Sequence, residues 1–218
     1  ASDVYKRQEI MQMRRKIMNS EIFSIREKLK ASLKPGRYEH SLSVSFTCMA
    51  LAMRYGYDLD KAELAGLLHD CAKCYDNNSI IAACRNSGME LTEGELQAPS
   101  IIHSRLGARM AEEKFGVNDP EILSAIACHT TGKPDMSLLD KILYIADYIE
   151  PRRYKIKDLP AIRRLAFEDL DEALFQIMEG TLRYLKESGT YADIMTQNAY
   201  HYYKKQMRRQ KEEQKEGE

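Results

Sequence analysis

The chain has no surplus of charge: Lys+Arg and Asp+Glu each number 33, leaving a net charge of zero over 218 residues. No global field draws it to nucleic acid or to an anionic membrane, so a role at either would need a local patch. There is no run of 18 apolar residues, which excludes an ordinary membrane-spanning helix. The start lacks the charged-then-apolar pattern of a secretory signal. Cysteines are few and odd in number, and Cys48, Cys71, Cys74, Cys84 and Cys128 lie inside helix-like runs. That pattern argues for reduced thiols and against a disulfide framework. The expectation is a cytoplasmic protein with no nucleic-acid or membrane partner, a monomer or a homodimer. No alternating apolar run reads as a strand and no repeat recurs, so the expected class is all-α.

What is present is a succession of helical patterns. Residues 1–8 open without Met and read as a non-native or disordered start, residues 9–205 as a single domain with helical additions, and residues 206–218 as a charged tail. The spacing predicts helices over Met11–Lys30 and Tyr38–Tyr55, with Gly56 as the cap of the second. A third runs from about Asp60 to Leu68, and Asn77-Asn78-Ser79 caps a short one through Cys84. Thr92 and Glu95 fit a capping box. Pro99 and Ser100 open a helix to Phe115, and Asp119-Pro120 marks the start of another. Ser137 to Ile149 is the most apolar segment, and helices over Leu159–Ala166, Asp169–Glu187 and from about Tyr191 complete the chain.

Against this background four of the five histidines stand out, because His40, His69, His103 and His129 fall at the ends or opening turns of four successive predicted helices. Helix ends around one cavity can present ligands rigidly while leaving access for a substrate. His69 is followed directly by Asp70, so an imidazole and a hard carboxylate can reach a single cation. Asp147 lies inside the most apolar helix, where an ionised carboxylate must be paired, bound to metal or shifted in pKa. His201, among Tyr200, Tyr202 and Tyr203, reads as a packing or surface residue and not a ligand. Cys71-x-x-Cys74 has no second pair spaced for zinc and no βαβ surroundings, so it reads as incidental thiols.

His40, His69-Asp70, His103, His129 and Asp147, in that order and on helices, resemble the pattern of HD-domain metallohydrolases. The longer strings Arg37-Tyr38-Glu39-His40, His69-Asp70-Cys71-Ala72-Lys73, Ile102-His103-Ser104, His129-Thr130-Thr131-Gly132 and Ala146-Asp147-Tyr148-Ile149-Glu150-Pro151-Arg152 are similar to one branch, the YqeK-type bacterial symmetrical diadenosine tetraphosphatases. The resemblance covers about residues 15 to 205. It implies an all-α HD bundle with a dinuclear centre, iron first and manganese second, that cleaves diadenosine tetraphosphate into two ADP by attack of metal-bound hydroxide on phosphorus. His40, His69, Asp70 and Asp147 would hold one metal. His103 and His129, with Asp70 bridging, would hold the other.

By the same resemblance Asp70, Lys73, His103 and His129 form the catalytic group. Arg37 lies one helical turn before His40, and Lys73 follows Asp70 by three residues. With Arg153 and Thr130 they would contact the polyphosphate, and Thr190 and Tyr191 the adenosine. Other functions with the same ligands are a nucleotidase or phosphodiesterase, a di-iron oxidoreductase, and a binding module without catalysis.

Overall fold

A computed structural model describes residues 20–216 of the chain. The octapeptide start and residues 11–19 of the first expected helix lie outside the described residues. Among the described residues the chain is all-α: α1 (20–32), α2 (Pro35–Tyr55), α3 (Leu59–Leu68), α4 (Asn77–Asn86), α5 (Glu93–Gln97), α6 (Ile102–Phe115), α7 (Pro120–Cys128), α8 (Leu138–Ile149), α9 (Leu159–Glu168), α10 (Leu170–Glu187) and α11 (Ile194–Glu216). Single 3₁₀ turns cover Cys71–Cys74 and Pro99–Ile101. No helix among the described residues is long and apolar enough to cross a membrane.

Helix α8 is the centre of the bundle. Leu139, Ile142, Leu143, Ile145 and Ala146 are all fully buried, and α2, α3, α7, α9 and α10 pack around them. Burying each such Leu or Ile contributes about 1.5–3 kcal/mol before the entropy of ordering is subtracted. The α2–α3 approach is tight at Gly66: a Cβ there would stand 2.6 Å from the Ser45 Cα. Ser45 Oγ donates to the Glu63 carbonyl at 3.0 Å across the same contact. Any side chain at position 66 would wedge apart the two helices that carry His40 and His69.

Several boundaries differ from the sequence expectation. Helix α2 begins at Pro35, because a proline at the first helical position needs no amide partner and has its φ already set. His40 is therefore in the second turn. The cap of α4 is Asp76, whose side chain accepts from the Asn78 and Ser79 amides in a capping box; Asn77 is the first helical residue. Helix α11 starts at Ile194, after Asp193 accepts from the Met195 amide. It continues past position 206 to Glu216, with Met207 still buried. The capping box at Thr92–Glu95 and the Asp119-Pro120 start form as expected, and a further box that the sequence reading did not name joins Ser137 and Asp140 at the start of α8.

Candidate metal centre

Helix ends bring three histidines together, and the second turn of α2 adds His40. His69 is the C-cap of α3, His129 is the C-cap of α7, and His103 is in the first turn of α6. The rings form an edgewise chain: His40 to His69 at 5.2 Å between centroids, His69 to His129 at 5.0 Å and His129 to His103 at 5.0 Å. Each ring is fixed from behind. The Nδ1 atoms of His69, His103 and His129 donate to the carbonyls of Gly66, Ser100 and Ile126 at 2.7, 2.6 and 2.7 Å. Carbonyls in the last turn of a helix have no partner along the ladder, so the helix ends supply the acceptors for His69 and His129. His40 Nδ1 instead meets Glu150 Oε1 at 3.2 Å. With Nδ1 donating, every Nε2 lone pair faces inward.

Asp70 stands between the rings. Its Oδ2 is 3.8 Å from His40 Nε2 and 3.6 Å from His69 Nε2, while Oδ1 is 3.3 Å from His103 Nε2 and 3.8 Å from His129 Nε2. Asp147 Oδ1 is 3.0 Å from His40 Nε2 and 4.0 Å from His69 Nε2. Two sets of donor atoms lie within 4.8 Å of one another: His40, His69 and Asp147, and His69, Asp70 and His129. His69 belongs to both sets. His103 joins through His129 Nε2, 3.1 Å away.

The residues fit a cation. The buried His40 Nε2 and His69 Nε2 have no hydrogen-bond partner, and a buried polar nitrogen left without one is costly unless something else completes it. Imidazole and carboxylate donors without thiolate suit iron or manganese. Cys71, the nearest thiol in sequence, is turned away: its Sγ donates to the Gly107 carbonyl at 3.4 Å, and burial pushes its pKa up to about 12.

Protonation follows from position. Burial lowers His69 to about 4 and also lowers His103. Burial acts against the charged form of His40 too, but Asp147, Asp70 and Glu150 outweigh it and raise its pKa. Burial would lift Asp70 and Asp147; the surrounding histidines, with Arg153 at Asp147, hold both well below the usual carboxylate range.

Cations rim the centre. Arg37 Nη1 reaches Asp70 Oδ2 at 2.7 Å, and Arg153 Nη2 reaches Asp147 Oδ1 at 2.8 Å. Lys73 is half-buried, and burial together with Arg37 and Arg153 depresses its pKa against the pull of Asp70 and Asp147. Arg152 faces Glu39 on the outside, 3.6 Å away. Thr130 Oγ1 lies 3.2 Å from His103 Nε2. The loop carrying Thr130 is held by Gly132, whose φ is +67° and where a Cβ would meet Met178 Cε at 2.8 Å. Thr190 and Tyr191 are exposed. Thr190 bonds to Ser188 and to the Leu185 carbonyl, and Tyr191 packs on Gly94; these contacts are with neighbours outside the ligand set.

Sequence reasoning passed over Glu150 and Ser43. Glu150 is 2 % exposed and accepts from Ser43 Oγ and the Arg152 amide at 2.7 Å each. A carboxylate just past a helix C-terminus opposes the helix dipole, and that mismatch was the available signal.

An all-helical bundle closing on this set of histidines and aspartates has a counterpart among known families. The HD domain model matches residues 37–152, and the chain belongs to the HD-domain family. Within it the chain belongs with the symmetrical bis(5′-nucleosyl)-tetraphosphatases. It is 36% identical over 171 residues to the protein of that name from Halalkalibacterium halodurans, covering 77% of this chain and 89% of the relative. It is 38% identical over 159 residues to the one from Bacillus subtilis, covering 72% and 83%. A crystal structure from Clostridium acetobutylicum, described as a predicted HD superfamily hydrolase involved in NAD metabolism, superposes with a TM-score of 0.82 at 39% identity, over 85% of this chain and 97% of that one.

Proposed function

We propose that this chain is a metal-dependent hydrolase that splits diadenosine tetraphosphate symmetrically into two ADP. The observation that carries the reading is one buried carboxylate, Asp70, with an oxygen toward each pair of inward imidazoles and an arginine at its edge. His40, His69, Asp70 and Asp147 would hold one metal, and His103 and His129, with Asp70 shared, the second. Iron is the metal we assign, with manganese as the alternative. Such a pair, when bound, supplies Lewis acidity toward phosphate oxygens and lowers the pKa of water.

The chain's own residues bind and orient. Arg37 and Arg153 neutralise Asp70 and Asp147 and stand at the solvent edge, about two-fifths exposed. From there the guanidinium forks can turn to phosphate oxygens. They approach different carboxylates, so each can take the phosphates of one half of the substrate, which suits a cut at the middle of the chain. Lys73 adds a point charge in a partly desolvated position, where attraction to phosphate is stronger than in water. Thr130 offers a hydroxyl beside His103. Thr190 and Tyr191 are assigned to the adenosine end. Five free cysteines support a reducing compartment such as the cytoplasm.

Metal analysis of the purified protein, joined to chromatography of products from dinucleoside polyphosphates, tests the reading. Two metals per chain and ADP as the sole product are expected from diadenosine tetraphosphate. AMP with ATP would overturn symmetrical cleavage. Turnover of mononucleotides alone would make the chain a nucleotidase, and oxygen uptake without phosphate release would make it an oxidoreductase.

A further inference from the structure

The four imidazoles are not held alike. Three of them donate Nδ1 to a main-chain carbonyl three residues earlier in the chain. His40 sits in the second turn of a 21-residue helix, where the preceding carbonyls are already used by the helix ladder. Its ring must be held from elsewhere, and Glu150 from the end of α8 does so. Glu150 is itself tightly specified. It is 2 % exposed, Ser43 Oγ donates to Oε2 at 2.7 Å from one turn along α2, and the Arg152 amide donates to the same oxygen at 2.7 Å.

The segment after Glu150 is clamped too. Arg163 on α9 donates to the carbonyls of Ile149, Glu150 and Arg153 at 2.8, 2.7 and 3.0 Å. One carboxylate therefore touches both the ring of His40 and the turn that leads to Arg153.

We propose that Glu150 is a positioning residue that orients His40 and thereby sets affinity at the His40–His69–Asp147 metal position selectively, while anchoring the turn that presents Arg153. The inference rests on the metal-dependent reading above. A carboxylate partner behind a ligating histidine fixes its tautomer and increases its basicity, and loss of such a partner typically costs about 10–100-fold in metal affinity. His103 and His129, anchored to their own main chain, have no such dependence on Glu150.

Glu150→Gln isolates the effect because the carboxylate accepts from three donors and glutamine cannot. With the amide nitrogen toward His40, the ring must carry its proton on Nε2, and the lone pair leaves the metal position. With the nitrogen toward Arg152, it meets a backbone N–H that cannot rotate, and the turn bearing Arg153 shifts.

The test titrates metal-stripped protein with Mn²⁺ and records imidazole nitrogen NMR and the melting temperature. The parent is expected to bind two ions, with His40 protonated on Nδ1 before metal is added. Glu150→Gln is expected to lose about 10–100-fold at one position and to keep the other at parental strength. Ser43→Ala, which spares the carboxylate, is expected to weaken the same position several-fold, and it decides the matter if Glu150→Gln does not fold. Unchanged affinity at both positions, or equal loss at both, would overturn the proposal although the parent binds two ions. A parent that binds no Mn²⁺ would instead remove the metal-dependent reading, and this inference with it.

Discussion

Helix α8 carries two inward aspartates two turns apart, and their surroundings are built on opposite plans. Asp140, fully buried, has complete protein partners: Ser124 Oγ at 2.9 Å, the Ser137 amide at 2.8 Å and Lys133 Nζ at 2.9 Å. Asp147 has Arg153, drawn from the solvent edge, and lies beside two imidazole nitrogens that lack partners. The first acid closes a loop and caps a helix. The second belongs to a site that the protein leaves for something else to complete. Burial of a charge is thus no guide to function by itself; what separates the two ends of α8 is whether the polar groups are satisfied from within.

Exchanging the two acids for asparagine gives the largest contrast. Asp147→Asn is expected to lower turnover beyond the about 100-fold that loss of a mere supporting partner costs, with one metal ion lost in elemental analysis. Asp140→Asn is expected to keep two ions and near-parental turnover per folded molecule, while losing about 1–3 kcal/mol of stability from its broken network. Steady-state kinetics beside urea denaturation of both variants reads this out. Equal activity losses would break the distinction.

Acid should expose the same difference in the metal-free protein. His69 is held to about 4 by burial, against an ordinary 6.5. Between those values the unfolded chain binds the proton and the native chain does not, so stability falls as pH drops from about 6.5 to 4, by on the order of 3 kcal/mol over the window. His40, with its raised pKa, acts with the opposite sign: its contribution is present below 6.5 and fades as pH rises through its folded pKa. Denaturation midpoints across this range are expected to slope less in His69→Gln than in the parent. The slope should persist in Asp140→Asn, since that acid lies away from the imidazoles. A His69→Gln variant with the parental slope would assign the titration elsewhere.

Local devices were the easier ones to read from sequence. Thr92 with Glu95, three residues apart, and the Asp119-Pro120 start were legible because all of their parts are adjacent; Ser137 with Asp140 is equally local, yet it was passed over because the apolar run that follows dominates the segment. His69, His103 and His129 were legible as helix-end residues for the same reason, and their joining in one centre follows the family pattern. Asp147 announced itself by its apolar context. Glu150 did not, because its meaning depends on Ser43 and His40, more than 100 positions away. The position of His40 in its helix was misjudged by a turn, since Pro35 reads as a break until it is recognised as a first helical residue. The exposed Thr190–Tyr191 segment carries no local sign of its neighbours, and its packing on α5 came only from the structure.

The smallest expected effect probes the link between the two ends. The loop from His129 to Ser137 joins the metal centre to the Asp140 network, and Tyr203 of α11 steadies it by accepting from the buried Met136 amide at 2.8 Å. Tyr203→Phe removes that acceptor with little change in shape and leaves the amide unpaired, a cost of about 1 kcal/mol. For a chain of this size the melting temperature should fall by about 2–4 °C. Because His129 is fixed by the Ile126 carbonyl within its own helix, the ring should not follow the loop. Metal content and kcat are therefore expected to stay at parental values. A fall in kcat with the metal content intact would mean that Thr130, next along the same loop, transmits the disturbance, and the two ends of α8 would then have to be treated as one coupled unit.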